Sequence, residues 1–227
     1  ACAGSIVGVL TLTGLGSKFV TLLITLSRGN VLIALMMVMI VTIFLGMGLP
    51  TTASYIICSS VVVPALVKMG LEPFPAHFFV FYFACLSAVT PPVAIASYAA
   101  AGISGGDMNK TGWTAFKLAL AAFVVPYVFV FSKSLFLMGS TSLIIRSTIT
   151  SSIGTFVFAC AVSGWFINKT NVFVRLALFA ASLLLIIETL STDVIGLGIV
   201  AVCFILQKFV FKKGKPDIPT EGNSSSV

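Results

Sequence analysis

The order of apolar and polar positions divides the chain into long apolar stretches that are separated by short polar breaks. Four apolar segments lie near residues 113–138, 148–167, 172–190 and 194–211, and each is long enough to cross a hydrocarbon core of roughly 30 Å as a helix. The runs lack the strict alternation of apolar and polar residues that the strands of a membrane barrel require. The pattern therefore predicts an all-α, polytopic membrane protein.

The stretch that precedes these segments contains two different patterns. Residues 1–13 are apolar and have the composition of the end of a span, whereas residues 14–30, GLGSKFVTLLITLSRGN, are amphipathic. On a helical wheel the polar and basic side chains of this second stretch form one stripe: Lys18, Thr21, Thr25 and Arg28. The pattern predicts a short helix that lies in the membrane interface.

Two of the apolar regions are interrupted by glycine and proline. Region 31–67 has two arms of about 17 residues on either side of GMGLPTT, and region 74–104 is interrupted by Thr90-Pro91-Pro92. A proline inside a helix costs about 3 kcal/mol, and irregular backbone at membrane depth is tolerated only where it is buried in protein or lines a water-filled cavity. Such segments are typical of transporter binding sites, because opened helices expose carbonyls to cations and N–H groups to anions.

Plainer interpretations of both interruptions remain open at this point. Region 31–67 is either a re-entrant hairpin that turns near the midplane or two complete spans joined by an exposed turn at Pro50. The Pro91-Pro92 pair is either part of a ligand site or a simple kink. Because the two interruptions are close in the sequence and both contain threonine, the pattern favours a functional role for them.

Composition indicates that the surroundings of the chain are a lipid bilayer. Hydrophobic residues make up 59% of the chain and charged residues 8%, with a mean hydropathy of +1.16, whereas about a quarter of the residues of soluble domains are charged. The formal charge of +7 does not indicate a nucleic-acid partner, because most basic residues stand singly at the ends of apolar segments. Their distribution indicates membrane orientation instead.

The positions of lysine and arginine predict a cytoplasmic C-terminus. Residues placed on the cytoplasmic side are Lys110, Lys117, Lys169, Arg175, Lys208, Lys212, Lys213 and Lys215, which leaves Lys68 and Arg146 on the other side. The polar tail at 212–227 is predicted to be disordered and cytoplasmic.

The chemistry of the interrupted regions favours sodium over protons as a coupling ion. Glu72 and Asp107 are the only carboxylates between residues 30 and 135, and both fall in predicted loops, whereas proton relays through membranes usually need carboxylates. The chain contains no HExxH motif and no paired carboxylates, so we expect neither an enzyme nor a cofactor other than the sodium ion. A proton-coupled transporter and a non-transporting membrane anchor or channel subunit are the alternatives.

Three motifs resemble the large membrane subunit of tripartite ATP-independent periplasmic (TRAP) transporters, in particular the fused permeases of the TAXI branch. They occur in the same order and with similar spacing: LGMGLPTTASYI, HFFVFYFACLSAVTPPVAIASYAAAGISG and KTGWTAFKLALAAFVVPYVFVF. The resemblance covers residues 1 to about 139. It implies that the chain is the C-terminal half of a longer permease built from two inverted repeats.

The resemblance further implies an elevator-type secondary transporter in the bacterial inner membrane. Its parts would be a re-entrant hairpin at 31–67, a broken helix with the following span at 74–138, and additional transmembrane helices at 139–211. Members of this family import organic acids together with sodium. The implied partners are a periplasmic substrate-binding protein, the N-terminal half, and a small membrane subunit that is either separate or fused.

The resemblance also implies a sodium site at the two interruptions. Its ligands would be carbonyl and hydroxyl oxygens of Gly46, Gly48, Pro50, Thr51, Thr52, Thr90 and Pro91. A substrate carboxylate would meet helix N-termini at Thr52 and Val93. Hydroxyl donors for it would come from Ser54, Ser97 and Tyr98. These segments contain no lysine or arginine, so a cationic partner for the acid would come from the N-terminal half.

Overall fold

A computed structural model describes residues 2–137, 140–166, 170–186 and 189–209. Within these ranges the chain is helical and contains no β-strand, which confirms the predicted all-α class. The helices are α1 Cys2–Leu12, α2 Leu15–Ser27, α3 Val31–Gly46, α4 Thr51–Lys68, α5 Pro73–Leu86, α6 Ile95–Ser104, α7 Met108–Ala119, α8 Val125–Phe131, α9 Thr141–Ser163, α10 Val172–Ile186 and α11 Leu190–Phe209. Lys169 and the tail predicted at 212–227 lie outside the described residues.

Among the described residues, three helical segments are long and apolar enough to cross a membrane. They are α4, the segment Met108–Phe131 that contains α7 and α8, and α9. A fourth would be formed by α1 and α2 together, but these two helices are bent by 70° at the break between them. The remaining apolar helices have shorter apolar parts; that of α11 is Leu190–Ile205. Helix lengths and composition thus agree with a multi-pass membrane protein.

Helix α2 has one buried face and one exposed face. Val20, Leu23 and Ser27 are buried against the neighbouring helices, whereas Lys18 and Thr25 are exposed. The exposed face contains the polar stripe that the sequence predicts, and it also contains the apolar Leu22 and Leu26. The position of α2 in a membrane interface stays a prediction.

Short polar side chains set the starts of two helices. The Asn30 side chain accepts a hydrogen bond from the Leu32 N–H at 2.9 Å, so α3 begins directly after it. The Asp107 carboxylate accepts one from the Lys110 N–H at 2.8 Å. Because of this cap, the helical segment starts at Met108 and not at the predicted residue 113.

The main core lies among α3, α4 and α5, and aromatic residues of the α7–α8 segment pack against it. Phe79 and Phe83 of α5 are fully buried. The Tyr127 ring packs on both of them, with centroid distances of 5.1 Å to Phe79 and 6.1 Å to Phe83. Edge contacts between aromatic rings stabilise such clusters beyond the burial of their area. This core fixes α3 and α4 relative to α5, and therefore fixes the two interrupted regions relative to each other.

Helices α9, α10 and α11 pack together through small residues. A Cβ atom on Gly196 would lie 2.7 Å from Cγ of Leu185, and one on Gly154 would lie 3.1 Å from Cβ of the same leucine. Close approach at glycine is common between membrane helices. At one end of this group the Arg146 Nε atom lies 3.5 Å from Oδ2 of the buried Asp193. The sequence did not predict this ion pair, because its partners lie on different helices.

Candidate functional site

The two interrupted regions meet at Gly46, the last residue of α3. A Cβ atom on Gly46 would lie 2.6 Å from Oγ of Ser54 and 2.6 Å from Oγ of Ser87. Ser54 belongs to the first turn of α4, and Ser87 directly follows α5. The two hydroxyl oxygens are therefore no farther apart than twice that distance. Only glycine allows this approach, because any side chain at this position would overlap both serines.

A second contact joins the same two regions closer to the surface. Gly48 has a φ of +81°, a backbone conformation that glycine adopts without strain. A Cβ atom at this residue would lie 4.0 Å from Cγ1 of Val93. The turn between α3 and α4 thus faces the turn between α5 and α6. We call the region formed by Gly46, Gly48, Ser54, Ser87 and Thr90 the junction.

The turn between α3 and α4 carries carbonyl oxygens that accept no hydrogen bond. The carbonyls of Gly46 and Pro50 accept from the N–H groups of Leu49 at 3.2 Å and Ser54 at 3.0 Å. Among the described residues, no donor contacts the carbonyls of Met47, Gly48 and Leu49. Of the predicted carbonyl ligands in this turn, Gly48 is therefore the one whose oxygen has both lone pairs available. The carbonyls of Met47 and Leu49 are two further available oxygens, which the sequence did not single out.

The turn between α5 and α6 also frees carbonyl oxygens, because Pro91 and Pro92 have no N–H group. These prolines occupy both positions from which a helix would donate to the Ala88 carbonyl. Within the described chain no hydrogen bond reaches the carbonyls of Ala88, Val89 or Pro91. The predicted ligand Pro91 thus has an available carbonyl oxygen.

Thr90 is buried beside these carbonyls. Its hydroxyl donates to the Leu86 carbonyl at 2.8 Å, which leaves the lone pairs of the hydroxyl oxygen directed away from that bond. Its own carbonyl accepts from the Ala94 N–H at 3.2 Å. Thr90 therefore offers a hydroxyl oxygen in a fixed orientation, and its role as a sodium ligand stays a prediction.

Helix α4 begins within the junction and has no side-chain cap. Pro50 precedes it, and the N–H groups of Thr51 and Thr52 donate to no described residue. Thr52 is exposed, whereas Thr51 is half-buried. Unpaired N–H groups and the helix dipole make such a terminus favourable for anions. The predicted helix N-terminus at Thr52 is therefore present.

The second predicted N-terminus lies elsewhere. Helix α6 begins at Ile95 and not at Val93, after Ala94 in a left-handed conformation with a φ of 32°. The hydrogen bond from the Ala94 N–H to the Thr90 carbonyl closes a separate turn first, so the helix starts later. Val93 belongs to this turn and faces Gly48.

Three buried hydroxyls in this region make no hydrogen bond within the described part of the chain. They belong to Thr42, Ser54 and Ser97. The Cys58 thiol beside Ser54 is at most a weak partner. A buried hydroxyl without a partner costs about 1–3 kcal/mol, so its retention needs an explanation.

The sequence singled out Ser54 and Ser97 as site residues but not Thr42 or Ser87. Thr42 lies one helical turn before Gly46, and that spacing was the available signal.

Tyr98 is engaged outside the junction. Its hydroxyl donates to the Pro92 carbonyl at 2.7 Å, and a Cβ atom on Gly112 of α7 would lie 2.9 Å from its ring. Together with Pro92 and Trp113 it lines a surface cavity of about 220 Å³. Tyr98 therefore stabilises the turn between α5 and α6 and packs against α7, and its hydroxyl hydrogen is already donated to the Pro92 carbonyl.

Residues 1–144 match the family described as the tripartite ATP-independent periplasmic transporter, DctM component. The chain belongs to this family. DctM proteins are transporter permeases and not enzymes, and the family's tripartite organisation includes a periplasmic binding protein and further membrane subunits. No curated protein and no solved structure matches the chain. The matched residues include the whole junction, whereas most of α9 and all of α10 and α11 lie beyond them, so the junction belongs to the DctM part of this permease.

Proposed function

We propose that this DctM chain is the C-terminal half of a fused TAXI-type permease that imports organic acids together with sodium. A periplasmic binding protein delivers the substrate, and the interrupted regions move as part of an elevator domain in the bacterial inner membrane. The observation that supports the proposal is the convergence of both helix breaks at Gly46, beside the hydroxyls of Ser54 and Ser87 and between two turns with unpaired carbonyl oxygens.

The oxygen atoms at the junction suit a sodium ion. Hard cations are bound by carbonyl, hydroxyl and carboxylate oxygens, and irregular backbone within transporters commonly coordinates sodium. Carbonyls are available on both sides of the junction, and Thr90 adds a hydroxyl. The acidic residues nearest in sequence, Glu72 and Asp107, lie at the starts of α5 and α7. Because the junction contains no carboxylate, sodium coupling is favoured over proton coupling.

The substrate carboxylate is proposed to meet the N-terminus of α4. The N–H groups of Thr51 and Thr52 are directed away from the helix and unpaired among the described residues. A helix N-terminus stabilises an anion by about 0.3–2 kcal/mol, which is too little to bind an acid alone. A cationic side chain of the N-terminal half and the Ser54 hydroxyl are proposed to complete the site.

Sodium-driven uptake by the full-length permease tests this proposal. The permease and its binding protein, reconstituted in proteoliposomes, are expected to accumulate a radiolabelled carboxylate from a substrate panel only under an inward sodium gradient. A tenfold gradient supplies about 1.4 kcal/mol per ion. Accumulation that follows a pH gradient without sodium would instead support a proton-coupled transporter. Equilibration without accumulation under either gradient would indicate a channel or an anchoring subunit.

Thiol labelling tests the proposed re-entrant hairpin. Met47→Cys and Thr51→Cys, each in a background without the five native cysteines, are expected to react slowly with impermeant reagents from both sides and to be protected by sodium. Both residues are partly buried at the junction. Asn109→Cys is the exposed control and should react rapidly from the side predicted to be cytoplasmic. Rapid, sodium-independent labelling of Met47→Cys from that same side would show two complete spans.

A further inference from the structure

A cavity of about 640 Å³ lies between α7 of the DctM part and the end of α9 with the start of α10. Its polar lining includes Lys117, Ser163 and Arg175, and its remaining walls are largely apolar. Among the residues that the structure describes, no aspartate or glutamate lines it. Two cations from different helices thus face one space without an acidic side chain from the described part of the chain.

Arg175 is held in place by the backbone of α9. Its Nε atom donates to the Ala161 carbonyl at 2.6 Å, and its Nη2 atom donates to the Val162 carbonyl at 2.7 Å. These are the last carbonyls of α9, where a cation is favoured by the helix dipole. The guanidinium group is therefore fixed at the edge of the cavity.

Lys117 is exposed on α7 and forms no ion pair with any residue that the structure describes. The next residue, Leu118, also lines the cavity and is 76% exposed. A charged group and a large apolar surface therefore lie side by side. This combination matches an amphiphile whose anionic end contacts Lys117 and whose apolar part covers Leu118.

The level of the cavity in the membrane is indicated by tryptophan. The chain has two tryptophans. Trp113 precedes Lys117 by one helical turn, and Trp165 follows Ser163 in the α9–α10 connection. Both are exposed, at 55% and 49%. Tryptophan is enriched where hydrocarbon meets headgroups, so the cavity lies at headgroup depth on the side that the positive charges predict to be cytoplasmic.

We propose that this cavity binds an anionic phospholipid. Its phosphate lies between the side chains of Lys117 and Arg175, and its acyl chains cover Leu118 and Val162. Basic pockets between transmembrane helices are suited to such headgroups. The lipid fills the gap between α7 and the C-terminal helices, so it links the DctM part of the permease to the part beyond the family match. This proposal is independent of sodium coupling.

Native mass spectrometry of the full-length permease tests the lipid site. The purified protein is titrated with phosphatidylglycerol and with phosphatidylcholine of the same acyl chains, and bound lipid is counted. Phosphatidylglycerol is expected to bind more tightly, and Lys117→Gln should weaken its binding about fivefold, as expected for one basic residue near a headgroup. Lys117→Arg should retain tight binding, because the charge is preserved.

Lys110→Gln is the matched control, because Lys110 lies on the same helix but does not line the cavity. It should bind phosphatidylglycerol as the native protein does. Equal binding of the two lipids, or unchanged affinity in Lys117→Gln, would overturn the proposal. Displacement of the lipid by excess inorganic phosphate would also overturn it, because the cavity would then be a site for free anions. If another helix of the permease covers the cavity, neither lipid will bind there, and this result would also overturn the proposal.

Discussion

Gly46→Ala is expected to abolish uptake and to lower the unfolding temperature of the permease. The added methyl group would lie 2.6 Å from the hydroxyl oxygens of Ser54 and Ser87 and 2.9 Å from Cβ of Ser87. Because two different helical regions would have to move apart, the overlap cannot be relieved by one rotamer change. Overpacking of a close-packed site costs about 1–3 kcal/mol. Uptake in proteoliposomes and thermal unfolding in detergent measure the two effects.

Gly102→Ala provides the control for this substitution. Gly102 also lies in an apolar helix of the DctM part, but a Cβ atom there would meet no atom within 4 Å. Since alanine is the better helix former by about 1 kcal/mol, Gly102→Ala should leave uptake and stability intact or slightly raise stability. Wild-type uptake by Gly46→Ala would show that transport does not need the close approach of the two regions.

Thr90→Val is expected to raise the sodium concentration for half-maximal uptake about tenfold. Valine preserves the shape of the side chain and removes the buried hydroxyl, which in the proposal is a sodium ligand. The loss of one hydrogen-bonding or coordinating group costs about 1.4 kcal/mol, which corresponds to that factor. Substrate affinity at saturating sodium should change much less. The measurement is the initial uptake rate as a function of sodium concentration.

Thr111→Val is the matched control for this substitution. The Thr111 hydroxyl donates to the Asp107 carbonyl at 2.8 Å, four residues earlier, as the Thr90 hydroxyl donates to Leu86. Thr111 lies outside the junction, so its variant should keep the native half-saturation. Thr90→Ser should keep it as well, because the hydroxyl is retained. An identical sodium dependence in Thr90→Val and Thr111→Val would place the ion elsewhere.

The positions of the helix breaks could be predicted because their causes are local. Pro91 and Pro92 cannot donate to the preceding carbonyls, whatever the rest of the chain does. The Asn30 side chain likewise caps the helix directly behind it. Backbone chemistry within a few residues is thus sufficient to predict the interruptions and the carbonyls that they free.

The contacts between the breaks could not be predicted, because they depend on how α3, α4 and α5 pack. Nothing in the sequence around Ser87 shows that its hydroxyl points at Gly46, and the pairing of Arg146 with Asp193 joins residues of different helices. The sequence placed the N-terminus of α6 at Val93, whereas the helix begins at Ile95. The reason is related: the turn at Thr90 closes with its own hydrogen bond before the helix begins.

Equilibrium binding of radioactive sodium to the purified, full-length permease is the most direct test of a cation site at the junction. The native protein is expected to bind sodium saturably in the absence of substrate, and Thr90→Val is expected to bind it about tenfold more weakly, as one lost ligand predicts. Thr111→Val should bind as the native protein does. Superimposable binding curves for the native protein and Thr90→Val would contradict the account, because the ion would then not contact the junction.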